Sequence, residues 1–132
     1  MRPKTNRSQE LGFTLIELLI VIIIIGILTA IAIPMFFSQR DKAKDAATKE
    51  GVHNISIGIA GYGIDHGDIY PATGTVDNTS LASYVDNWPQ NPWTGVAMTD
   101  GTGNGDYTYT LITSGSFTIV GHLAGNQDFT VK

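Results

Sequence analysis

The sequence predicts an α+β chain in which one long N-terminal helix packs its second half on a small antiparallel sheet. Three observations predict it. Leu18 to Phe37 is free of charged residues and dominated by Ile, Leu and Val. Val52, Ile55, Ile59 and Tyr62 then recur at three- and four-residue steps, the spacing of one helical face. Toward the C-terminus, apolar and polar residues alternate with period two, as in a strand with one buried face.

A chain of 132 residues has room for one small domain, or one domain and a membrane segment. The composition divides accordingly. Leu18 to Phe37 is apolar, whereas from Gly63 onward Gly, Thr, Ser, Asn and Asp prevail. There is no cysteine, so an exported domain of this size must be stabilised by packing, a bound ion or assembly rather than by disulfides.

Charge is as uneven as hydrophobicity. Arg2, Lys4 and Arg7 precede the apolar run, and Arg40, Lys42, Lys44 and Lys49 follow it. Between Lys49 and Lys132 there is no basic residue, while Asp65, Asp68, Asp77, Asp86, Asp100, Asp106 and Asp128 are all acidic. The C-terminal half thus lacks the cationic footprint that phosphate backbones require, which argues against nucleic-acid binding by it. The basic residues that open the chain predict a cytoplasmic N-terminus.

As a helix, Leu18 to Phe37 would span about 30 Å, the thickness of a bilayer's hydrocarbon core. A single membrane crossing is the first reading. Glu17 stands at its N-terminal edge, Gly26 in its middle and Pro34 near its end. A carboxylate beside hydrocarbon is expensive and marks a function or a partner; the plain alternative is a first-turn acid that favours the helix N-terminus. Pro34 removes a backbone donor and crowds the carbonyl of Ala30, so Gly26 to Pro34 reads as a point of kinking or extension.

Residues 38–63 remain helix-friendly. Asp41 and Asp45 have Lys44 and Lys49 at helical reach, predicting ion pairs on a solvated face. Gly58, Gly61 and Gly63 predict the helix end. The head then covers 64–132, with a long connection over 64–105 and strands over 106–132. Within the connection, Leu81–Val85 reads as a short helix capped by Thr79 or Ser80. Trp88-Pro89-Gln90-Asn91-Pro92-Trp93 reads as a rigid element, either an assembly contact or aromatic packing over the sheet. The strands carry Tyr107, Tyr109 and Leu111, then Phe117 and Ile119 after a turn at Ser114-Gly115, then Phe129 and Val131. So small a sheet needs something to pack on, and the helix is the candidate.

Gln9-Glu10-Leu11-Gly12-Phe13-Thr14-Leu15-Ile16-Glu17 resembles the class III signal of type IV prepilins and type II secretion pseudopilins. Tyr70-Pro71 and the Pro89–Trp93 element are similar to parts of the heads of that family. The resemblance implies a type IV pilin-like fold, and cleavage by a prepilin peptidase between Gly12 and Phe13. Residues 1–12 would then be a removed leader, Phe13 the N-methylated terminus and 13–37 the membrane and filament-core helix. Glu17 takes the place of the family's acid, where it would pair with the Phe13 amine of a neighbouring subunit; Gly26 and Pro34 fall on its helix-breaking positions. A conventional secretory signal cut after Ala30-Ile31-Ala32, before Ile33, and an uncut membrane anchor remain as alternatives.

Enzymatic chemistry is not indicated, since His53, His66 and His122 fall on separate segments and no polar groups converge. Calcium is the one cofactor to consider. Asp100, Asn104 and Asp106 alternate with glycines as in a cation loop, but the twelfth position is Leu111 rather than Glu, and a hairpin turn is the simpler reading. The resemblance implies the major pilin of a type IV pilus, a homo-oligomeric helical filament for adhesion, motility or DNA uptake. Alternatives are a type II secretion major pseudopilin and a monomeric membrane-anchored binding domain. Implied partners are the prepilin peptidase and the assembly machinery of the inner membrane. The implied location is a single-pass inner-membrane protein with its head outside, then the extracellular pilus.

Overall fold

The computed structural model describes residues 12–113 and 115–132. The expected leader up to Leu11, and Ser114 of the expected turn, lie outside the described residues. The order of elements is α1 (Leu15–Asp65), β1 (Tyr107–Thr113), β2 (Ser116–Leu123) and β3 (Gln127–Val131). This is the α+β, pilin-like arrangement expected from the sequence. The chain divides into two compact units, Met1–Phe37 and Ser38–Lys132.

In the second unit, the strands form one antiparallel sheet in the order β1-β2-β3. Tyr109 pairs with Ile119, and Gly121 pairs with both Tyr107 and Phe129. Tyr107, Tyr109, Phe117 and Ile119 face inward and pack with Val52, Ile55 and Ile59 of α1, with Val76, Leu81 and Met98 completing the core; Leu123 is also buried. Burying side chains of this size is worth about 1.5–3 kcal/mol each, so this cluster holds the head together without a disulfide.

Helix α1 runs two residues beyond its predicted 63 and is not ended by its glycines. Each of three supplies clearance for a neighbour instead. A Cβ on Gly51 would meet Met98 Sδ at 2.6 Å, one on Gly58 would overlap Val85, and one on Gly63 would meet the Tyr70 ring at 2.6 Å. Their propensity cost of about 1 kcal/mol apiece is offset by these close contacts. Termination comes later, where Asp68 N–H donates to Gly63 O at 2.8 Å across Gly67, whose φ is 68°. That is a Schellman closure, with glycine at the left-handed position.

The predicted pairing of Asp41 and Asp45 with lysines does not form among the described residues, where the one ion pair is His122–Asp128. Lys44 lies over the Trp93 ring at 5.3 Å and Lys49 over Phe129 at 5.8 Å. Asp45 Oδ1 accepts from Ala124 N–H at 2.9 Å, tying the β2–β3 turn to α1. An exposed helical ion pair is worth only a few tenths of a kcal/mol, and these tertiary contacts outcompete it.

The connection 64–105 is held by hydrogen bonds rather than by regular structure. The Tyr107 hydroxyl donates to Val76 O and the Tyr109 hydroxyl to Pro71 O, both at 2.8 Å. Burial pushes both phenols up, Tyr109 to about 12. The predicted helix at Leu81–Val85 is instead a run of turns, and its cap is neither Thr79 nor Ser80. Asp77 Oδ1 accepts from Ser80 N–H at 2.7 Å and Thr79 N–H at 2.9 Å, while Ser80 Oγ accepts from Asp77 N–H. These bonds, led by the Ser80 amide, hold the Asp77 carboxyl below its ordinary range.

Trp88 donates its indole N–H to Met98 O at 2.9 Å and packs beside Tyr107. Asn91 is buried, donating to Asn104 O and Asp106 Oδ1 while accepting from the N–H groups of Trp93 and Thr94. The tryptophan element is therefore aromatic packing with an asparagine at its centre.

Candidate processing and assembly site

Gly12, Phe13 and Thr14 precede α1 in non-helical backbone. Phe13 is 83% exposed, and a Cβ on Gly12 would meet nothing within 4 Å. Among the described residues, nothing packs against Gly12, and Phe13 is exposed. The helix begins at Leu15 because Thr14 caps it. Thr14 Oγ1 accepts from Glu17 N–H at 3.3 Å, and Glu17 Oε2 accepts from Thr14 N–H at 2.8 Å and from the Thr14 hydroxyl at 2.9 Å. This is a capping box, in which two otherwise orphan helix-end donors are satisfied reciprocally.

Glu17 therefore has a local role within one chain. It sits four residues from Phe13, on the first turn, with its carboxylate drawn to the helix N-terminus. Thr14 was missed in the reading of the sequence, although Thr14-Leu15-Ile16-Glu17 carries the S/T-x-x-E signature that marks such a cap.

From Leu15 to Phe37 every large apolar side chain is exposed, from Val21 at 47% to Leu15 at 88%. By length and composition α1 is able to cross a membrane. Gly26 and Pro34 both lie within unbroken helix. No group within 4 Å would obstruct a Cβ at Gly26. Pro34 cannot donate to Ala30 O, which leaves that carbonyl without its helical partner. The Thr29 hydroxyl is satisfied within the helix by donating to Ile25 O at 2.7 Å.

Of the calcium candidates Asp100, Asn104 and Asp106, one oxygen of each aspartate and the Asn104 carbonyl accept hydrogen bonds. Asp106 Oδ1 accepts from Thr99 N–H and Asn91 Nδ2, both at 3.1 Å, and Asp100 Oδ1 accepts from Tyr109 N–H at 3.4 Å. Calcium takes about 6–8 oxygens, and no cluster of three or more potential metal ligands occurs among the described residues. Hydrogen bonds from Asn91, Thr99 and Tyr109 close the loop. His66 is stacked on Tyr62 at 3.8 Å, its Nδ1 at 2.8 Å from Tyr62 O. His122 bridges Asp128 and Thr108 at 2.9 and 2.8 Å.

A capped apolar helix with an exposed Phe13 before it, and a packed α+β head after it, defines a class of protein. Among the described residues, its N-terminal helix is exposed and is long and apolar enough to cross a membrane. Comparison with known proteins makes the class specific. Residues 7–33 match the prokaryotic N-terminal methylation motif. The chain is 39% identical over 68 residues to type II secretion system core protein G of Pseudomonas aeruginosa, covering 52% of this chain and 47% of that one. It is 41% identical over 87 residues to the type IV major fimbrial protein FimA of Dichelobacter nodosus, covering 60% and 51%. It is 54% identical over 50 residues to the type IV major pilin protein PilA of Myxococcus xanthus, covering 36% and 23%. The chain spans about half the length of the first two of these relatives. No solved structure matches it. The chain is thus similar to type IV pilins and type II secretion pseudopilins, and the methylation motif over residues 7–33 supports that family.

Proposed function

We propose that this chain is the major subunit of a type IV pilus, cut between Gly12 and Phe13, methylated on Phe13 and assembled with copies of itself. The observation that carries the reading is the unbroken exposed apolar surface of Leu15–Phe37. About 25 cal/mol is gained per Å² of such surface removed from water, so the segment is stable only in a bilayer or against other such helices. Inner-membrane storage before assembly and a filament core afterwards both meet that demand, with the assembly machinery transferring the subunit between them. The head contributes the filament surface and works without a cofactor.

Glu17 then has two partners in succession. In the single chain it is held by Thr14. In the filament it exchanges that contact for the Phe13 amine of a neighbour, because a charge in a dry core is tolerable only when paired. Glu17→Gln keeps the cap's geometry but loses the charge, and is expected to be processed normally while assembling poorly. Normal filament yield from that variant would sink the pairing.

The test of the function itself is shearing surface filaments from the native cell. This chain should be their main protein band. A second reading, the major pseudopilin of a type II secretion system, is favoured by the similarity to the Pseudomonas aeruginosa secretion protein. On that reading, deletion of the chain stops export of folded proteins and leaves surface pili intact.

A further inference from the structure

On the face of the sheet away from the core, one side chain from each strand joins a single chain of hydrogen bonds. His122 of β2 stands at its centre. Its Nδ1 lies 2.9 Å from Oδ1 of Asp128 on β3, and its Nε2 lies 2.8 Å from Oγ1 of Thr108 on β1. A fourth group is within reach. Thr108 Oγ1 is also 3.3 Å from the carbonyl oxygen of Gly101, in the loop between Thr99 and Asp106. That loop is fastened around the same histidine by backbone bonds. His122 O accepts from Gly105 N–H at 2.7 Å, and His122 N–H donates to Asp106 O at 3.0 Å.

The protons of this chain can be placed by counting. A carboxylate only accepts, so in the neutral ring Nδ1 carries the proton and Nε2 is left as an acceptor. Thr108 then donates to Nε2. A hydroxyl has one proton and cannot serve Nε2 and Gly101 O together, and the shorter contact takes it. Protonation of the ring reverses the arrangement. Nε2 gains a proton from solvent and becomes a donor, Thr108 Oγ1 becomes its acceptor, and the hydroxyl proton is released toward Gly101 O.

We propose that His122 is a proton-operated latch: when its ring is protonated, Thr108 turns its hydroxyl from His122 to Gly101 and ties the 99–106 loop to the sheet. Histidine is the side chain whose charge ordinarily changes between about pH 5 and 8, so the added tie is present at the acid end of that range and lost as pH rises through it. The charged groups on the surrounding elements have other partners. Asp106 Oδ1 accepts from Thr99 N–H and Asn91, and Asp100 Oδ1 accepts from Tyr109 N–H. On α1, Asp45 accepts from Ala124 N–H and Lys49 lies over Phe129. Lys132 follows β3 at the end away from Asp128. The latch is complete within one copy and does not depend on assembly.

The experiment uses the full-length chain in detergent micelles. Hydrogen exchange of the Gly101 and Gly105 amides is followed between about pH 8 and 5, the histidine range, and corrected for intrinsic exchange. Their protection is expected to rise about five-fold at the acid end, the factor that one net hydrogen bond confers, while that of the core amide of Ile55 stays level. Thr108→Val keeps the shape of the side chain without its hydroxyl and should abolish the rise; Thr108→Ser should restore it. Ring nitrogen shifts at the alkaline end should place the proton on Nδ1. Wild-type protection that does not change with pH overturns the latch, as does an equal rise in Thr108→Val. A rise shared by Ile55 would mean general stabilisation of the head, and a proton found on Nε2 at the alkaline end would reverse the donor order; either result also overturns it.

Discussion

One helix carries two regions that use the same residue types for opposite ends. From Leu15 to Phe37 its isoleucines and leucines are all exposed; from Thr48 to Gly63, Val52, Ile55 and Ile59 have no exposed surface at all. The second region is finished within one chain, with its stripe covered by Tyr107, Tyr109 and Ile119. The first is exposed among the described residues. Apolar composition alone therefore does not tell core from interface. What separates them is periodicity: a stripe on one face is matched by a sheet, whereas an apolar surface all round is matched only by lipid or by other copies.

The comparison can be broken most severely at Gly12. Gly12→Val should leave the leader attached, so that Arg2, Lys4 and Arg7 remain on the stem. Intact-mass measurement is expected to show the uncut chain and electron microscopy no filaments, an all-or-none loss, with the head still folded.

Next come substitutions that touch the head and spare the stem. Ile55→Ala opens a cavity in a fully buried site and is expected to cost about 2–5 kcal/mol. Thermal unfolding of the head would read it, with Phe13 processing unchanged. The same truncation at Ile22, which is 64% exposed, should leave head unfolding where it was.

A smaller effect, about 1–3 kcal/mol, is expected from Tyr107→Phe, which strands the buried Val76 carbonyl. The two tyrosines also give the head an alkaline limit. Below pH 10 folded and unfolded chains both keep the phenol protons, and the contribution is whole. Above it the unfolded chain releases protons that the folded head retains, so stability falls as pH rises toward about 12, where Tyr109 itself ionises. Denaturant unfolding across that window should show the decline, reduced in Tyr109→Phe. Smallest of all, His122→Ala removes the bridge from Asp128 to Thr108 and should cost at most about 1 kcal/mol, as exposed pairs do.

The fold was legible where pattern is strong. The charge-free run, the Val52–Ile59 stripe and the alternation from Tyr107 to Val131 each answer to one element. The helix end was not, because Gly58 and Gly63 look like breakers until Val85 and Tyr70 are seen seated against them. The connection was illegible for a related reason. Asp77 and Asn91 organise it through side-chain bonds to backbone groups, and those leave no periodic trace. At the proposed processing site, Gly12, Phe13 and Glu17 stood out as a motif. Thr14 did not, although its side chain and Glu17's form the cap together.

The central claim is that the stem is created by a cut and finished by assembly. The measurement that tests it most directly is the mass and N-terminal sequence of the protein recovered from its native cell. The account predicts a chain that starts at N-methylated Phe13. A start at Met1 would mean an uncut anchor and a start at Ile33 a conventionally secreted head, and either would contradict it.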